Sequence, residues 1–100
     1  MPVKVEIIGG IARIILSGDL DFSTQENLSR DVEQALSSAA KEIRVDMTHA
    51  TFIDSSVIRA LLQLQEVANA NHKSLSIWNC NDQIREVLGI GGFDQMFIIH

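Results

Sequence analysis

Paired cysteines, clustered cations and long apolar runs are all missing from this sequence of 100 residues. A single cysteine, Cys80, forms no internal disulfide and has no C-x-x-C companion, which points to a reducing compartment. The cations are 8 against 13 acidic side chains, for a formal net charge of −5. They lie singly from Lys4 to Arg85 rather than in a stripe, so the expectation is no nucleic-acid partner and no attraction to anionic membranes. The uninterrupted apolar stretches fall far short of the ~20 residues that span a bilayer, and no basic segment leads into an apolar one at the start. A cytoplasmic protein without membrane insertion is expected.

Catalytic motifs are scarce as well. H-E-x-x-H, G-x-S-x-G and G-x-x-x-x-G-K-[ST] do not occur, and His49, His72 and His100 sit in unrelated segments, as surface or loop residues would. Gly89-Ile90-Gly91-Gly92 follows a helical pattern rather than a strand, which excludes a dinucleotide-binding turn. Cys80 reads as a small packing residue rather than a reactive thiol. No enzyme activity, metal or cofactor is expected.

What is present is the composition of one compact domain, with 46% hydrophobic and 21% charged residues and one proline. Val3, Val5 and Ile7 alternate with Lys4 and Glu6, and Gly9-Gly10 supplies a two-residue turn into Ile11 to Leu16, which predicts a β-hairpin. Ser17 to Asp21 is expected to break the second strand. Ser23-Thr24-Gln25-Glu26 matches a capping box, so a helix is predicted from there, with Leu28, Val32, Ala35, Leu36 and Ala39 on its buried stripe.

Ile43, Val45 and Met47 mark a third strand. A loop is then expected to end in Asp54-Ser55-Ser56, with Asp54 or Ser55 as the cap of a second helix whose apolar face runs from Val57 to Ala68. Leu75 to Trp78 reads as a strand, Asn81 as the cap of a short helix ended by Gly89, and Met96 to Ile99 as a short strand or extended tail. Strands alternating with helices after an opening hairpin predict an α/β fold: one domain over residues 1–100, with a mixed β-sheet packed with helices.

Gly18-Asp19-Leu20-Asp21 ahead of the first helix, and Asp54-Ser55-Ser56 at the start of the second, together resemble the STAS family of anti-sigma factor antagonists and their relatives. The resemblance runs through nearly the whole chain. It implies a STAS-like fold, phosphorylation of Ser56 (Ser55 is the less favoured choice) and a partner surface of Asp19, Asp21, Asp54, Ser55, Ser56, Val57 and Arg59. The implied partners are an anti-sigma factor serine kinase, captured by the unphosphorylated domain, and a protein phosphatase that resets it. A monomer in isolation is expected.

One departure stands out. Where the family usually continues Gly-Leu-Gly, this chain has Val57-Ile58-Arg59, a branched side chain and a cation where small residues let a partner approach. Arg59 lies one helical turn beyond Ser56, within reach of a phosphate there or of Asp54. Ser23 and Thr24 read as capping residues, and Asp19 and Asp21 as turn formers or partner contacts. The alternative reading is a STAS-like accessory or scaffold subunit that docks a transporter ATPase or a stress-signalling complex, a stable interface that Val57 and Arg59 would suit.

Overall fold

The computed structural model describes residues 3–100, apart from the Gln25 side chain. Strands β1 (Val3–Ile8) and β2 (Ile11–Leu20) form the expected hairpin, with Ile8 opposite Ile11. Gly9 takes the positive φ, 61°, that the turn requires at its first position. Helix α1 (Phe22–Ser37), β3 (Glu42–Ile53), α2 (Ser55–Ala70), β4 (Ser74–Trp78), α3 (Asp82–Ile90), a 3-10 turn (Phe93–Gln95) and β5 (Ile98–Ile99) follow. The sheet order is β1-β2-β3-β4-β5, with β1 antiparallel to β2 and every later pair parallel, so the sheet is mixed as expected.

Helices α1 and α2 pack on each other and cover one face of the sheet, while α3 packs on β3 and on the 3-10 turn. The alternation of each strand decides which side chains they bury. Ala12, Ile14 and Leu16 of β2, Ile43, Val45 and Met47 of β3, and Leu75 and Ile77 of β4 are buried together with Leu28, Val32 and Ala35 of α1 and Leu61 and Leu64 of α2. The opposite face carries no helix from α1 or α2. There Arg44 lies over the Trp78 ring at 4.5 Å, and His100 stacks on that ring at 4.1 Å.

Several boundaries differ from expectation. Strand β2 continues through Ser17 to Leu20 because β3 is long enough to pair with it, and β3 takes up two extra residues across register shifts at Ile15/Ser17 and Gly18/Asp19. Gly18 accommodates the irregular stretch with a φ of 76°. Strand β3 likewise runs to Ile53, so no loop precedes Asp54. Helix α1 starts at Phe22 with Asp21 as its cap, ahead of the expected Ser23. It also ends at Ser37, leaving Ala39 exposed and Ala40 buried in its place.

That early end has a visible cause. The Ser37 hydroxyl donates to the carbonyls of Glu33 and Gln34, and the Ser38 hydroxyl to that of Ala35, so side chains take up the Gln34 and Ala35 carbonyls that a further turn would have used. The buried Lys73 ammonium then donates to the carbonyls of Ser38 and Ala40, fixing the exit of α1 against the start of β4. Helix α2 is capped by Asp54 and α3 by Asn81, which also donates from its amide to the carbonyls of Ala50 and Thr51. Helix α3 runs one residue past Gly89. Val67, expected on the buried face of α2, is exposed.

Candidate functional site

Two parallel neighbours, each followed directly by a helix, must deliver both helix N-termini to the same end of the sheet. Strands β2 and β3 are such a pair. Their last residues, Leu20 and Ile53, are partners in register, and the Asp54 N–H donates to the Leu20 carbonyl at 3.1 Å. Asp21 and Asp54 are therefore the next residues out from two paired strand ends, and the unsatisfied N–H groups of α1 and α2 emerge side by side.

Asp54 has extended backbone geometry and its carboxylate accepts two bonds, from the Val57 N–H at 3.1 Å and from the Ser56 hydroxyl at 2.6 Å. The cap therefore satisfies the helix and holds the serine hydroxyl in place. Ser55 is exposed and Ser56 is half-buried, with its surface open to solvent in part. Val57 has 0% of its surface exposed and belongs to the core, so its side chain is not part of a partner surface as expected from the sequence. Its branched side chain fills space beneath the helix rather than standing in a visitor's way. Arg59 is exposed one turn further along, and among the described residues it makes no ion pair with Asp54.

The first helix start is built in the same way. Asp21 accepts the Ser23 N–H at 3.0 Å and the Ser23 hydroxyl at 2.6 Å, while the Thr24 hydroxyl accepts the Asp21 N–H at 3.3 Å, closing a reciprocal box. The Ser23 hydroxyl, then the Ser23 N–H, hold the Asp21 carboxyl below the ordinary value of 3.8. Asp19 accepts the Thr51 hydroxyl at 2.5 Å, which ties the end of β2 to β3. The structure thus brings Asp19, Asp21, Asp54, Ser55 and Ser56 to one end of the sheet, leaves Arg59 on its rim and removes Val57.

Two residues at this end were missed by the sequence reading. Phe22, the first residue of α1, is 69% exposed, and Phe52, paired with Asp19, is 39% exposed. In a chain with only 4 phenylalanines, one within two residues of each aspartate cap is a signal available in the sequence, and exposed aromatic area near carboxylates suits a protein partner. Cys80 lies elsewhere, in the core, and burial pushes its thiol above the ordinary value despite nearby Arg85. Its packing role therefore stands. Among the described residues no helix is long and apolar enough to cross a membrane.

Comparisons with known proteins agree on the architecture. A family model described as "Mlab, STAS domain" matches residues 4–99. A STAS-domain containing protein of Pseudomonas aeruginosa, PA14_20770, is 31% identical over 86 residues, spanning 86% of this chain and 84% of that protein. The unphosphorylated form of the anti-sigma factor antagonist SpoIIAA superposes with a TM-score of 0.83 at 20% identity, covering 98% of this chain and 87% of that one. The phosphorylated form of the Bacillus protein gives 0.74 at the same identity, covering 98% and 90%. An anti-sigma factor antagonist from Mycobacterium paratuberculosis gives 0.85 at 17% identity, covering 98% and 83%.

Proposed function

Because the chain belongs to the STAS domain family, we propose that it is an anti-sigma factor antagonist, a non-catalytic cytoplasmic module that captures an anti-sigma factor serine kinase and is released when Ser56 is phosphorylated. The carrying observation is the Ser56 hydroxyl, half-buried at the second residue of α2 and donating at 2.6 Å to Asp54. Asp19 and Asp21 stand on the adjoining strand end, Phe22 and Phe52 supply apolar contact area, and Ser55 and Arg59 are exposed beside them.

A phosphate at Ser56 replaces a hydrogen-bond donor by about −1.5 to −2 charges facing the Asp54 carboxylate. The positive end of the α2 dipole returns only ~0.3–1 kcal/mol, up to ~2 in favourable geometry. Against a domain stability of ~5–15 kcal/mol this leaves the fold intact, so the effect falls on binding. Within a docked surface the added charge is buried among carboxylates, and a penalty of about 3–4 kcal/mol weakens affinity roughly 10²–10³-fold, enough to free a micromolar partner. A phosphatase acting on the released form restores capture.

The test is incubation with ATP and the kinase recovered by affinity capture from the native cell, followed by intact-mass measurement and site mapping. One phosphate on Ser56, lost in Ser56→Ala, supports the proposal. A tight complex that ignores ATP and leaves Ser56 unmodified refutes it and assigns the chain to the accessory role on a transporter ATPase or signalling complex.

A further inference from the structure

The two edges of the sheet are unequal. Strand β5 offers two residues, Ile98–Ile99, whereas β1 offers six, Val3–Ile8, and no element of the described chain pairs with its outer side. The two-residue turn makes Ile8 and Ile11 a hydrogen-bonded pair, and by alternation so are Glu6 with Arg13 and Lys4 with Ile15. The backbone N–H and C=O groups of Val3, Val5 and Ile7 therefore point outward, unused. An edge of this length without proline or bulge is a template for another strand.

We infer that this edge pairs with the same edge of a second copy of the chain, antiparallel about a twofold axis at Val5. That register follows from the charges. With Val5 opposite Val5 of the second copy, Lys4 falls opposite Glu6 and Glu6 opposite Lys4, two ion pairs on the open face of the sheet, in non-hydrogen-bonded positions where Cα atoms stand about 4.5 Å apart. Val3 falls opposite Ile7 on the helix side, so the 39% exposed Ile7 gains an apolar neighbour. The outward groups of Val3, Val5 and Ile7 find reciprocal partners, and two five-stranded sheets become one. Lys4 and Glu6 already lie 3.4 Å apart on their own strand, so both side chains are disposed toward that face.

A pair of six-residue edges buries less than the roughly 1,200 Å² of a standard interface, so the dimer is weak and forms at tens to hundreds of micromolar. Because the strands run antiparallel, the two Ser56 ends point in opposite directions and both stay open to partners. The inference is independent of whether Ser56 is modified.

Sedimentation velocity on the full chain from about 10 μM to 1 mM tests it. The wild type passes from monomer to dimer over that range, and Lys4→Glu or Glu6→Lys alone, each placing like charges opposite one another, weakens self-association about tenfold. Mixing those two variants pairs carboxylates with amines at both positions and restores a heterodimer, which also shows that both variants are folded. A wild type that stays monomeric at 1 mM, single variants that associate like the wild type, or a mixture that fails to associate overturns the inference.

Discussion

At the start of α1, Asp21 holds the Ser23 hydroxyl at 2.6 Å, and at the start of α2, Asp54 holds the Ser56 hydroxyl at the same distance. The two sites differ in what anchors the cap. The Asp21 N–H is taken by Thr24 of its own helix, whereas the Asp54 N–H is taken by Leu20 of the neighbouring strand. The first cap is self-contained and its serine is exposed. The second is keyed to the sheet and its serine is half-buried. A charge added at Ser56 therefore appears at a position fixed relative to Asp19 and Asp21, while one added at Ser23 sits in water and is screened.

The sharpest way to separate the two sites is to place a carboxylate at each. Ser56→Asp is expected to weaken capture of the kinase by roughly 10²–10³-fold, and Ser23→Asp by less than about threefold, as read by titration calorimetry. Similar losses for both variants would mean that the general acidity of this end, not the keyed position of Ser56, governs binding.

The caps come next in size. Asp54→Ala removes the acceptor of both the Val57 N–H and the Ser56 hydroxyl and is expected to cost about 1–2 kcal/mol in urea unfolding. Asp21→Ala is expected to cost less, because water replaces the lost acceptor at an exposed residue. Equal costs would remove the distinction between an exposed cap and a half-buried one.

Acid unfolding probes the smallest difference. The Asp21 carboxyl is held below 3.8, so the folded state binds its proton less readily than the unfolded chain. The resulting stabilisation is present above that value and is lost as pH falls through the lowered one. Asp21→Asn should flatten the stability profile below about pH 3.8, visible by circular dichroism. Asp46 contributes a slope of the same sign: burial raises its carboxyl, but the Thr48 hydroxyl and N–H, Asn79 and Arg13 together outweigh that and lower it. An unchanged profile in Asp21→Asn would show that the Ser23 hydrogen bond does not persist in solution.

The mixed sheet, the hairpin and the helical stripes were legible because periodicity depends on neighbours within the chain. Ile43, Val45 and Met47 alternate whatever they pair with, and the 3.6-residue spacing of Leu28, Val32 and Ala35 needs no tertiary information. The boundaries were less so. Ser17 to Leu20 looked like a strand end because Gly18 and Asp19 disfavour strands, and only the length of β3 and its two extra residues reveal why pairing continues. The start of α1 shifted to Asp21 for a related reason: with Leu20 paired to Ile53, the helix begins as soon as the chain leaves the sheet.

At the site, Asp54-Ser55-Ser56 was legible as a cap followed by two hydroxyls, but which serine the carboxylate holds is a matter of geometry. Val57 was misplaced because a branched residue in a motif of small ones suggests an altered surface, whereas the first turn of α2 rotates that position inward. Phe22 and Phe52 escaped notice because an isolated phenylalanine ordinarily reads as core.

The central claim is that charge at Ser56 changes what the domain binds and leaves its fold unchanged. The most direct measurement is the affinity of the captured kinase for the chain carrying one phosphate on Ser56, beside the unmodified chain, with circular dichroism recorded on both. The account predicts superimposable spectra and an affinity lowered roughly 10²–10³-fold. Equal affinities, or a phosphorylated chain whose spectrum shows lost structure, would contradict it.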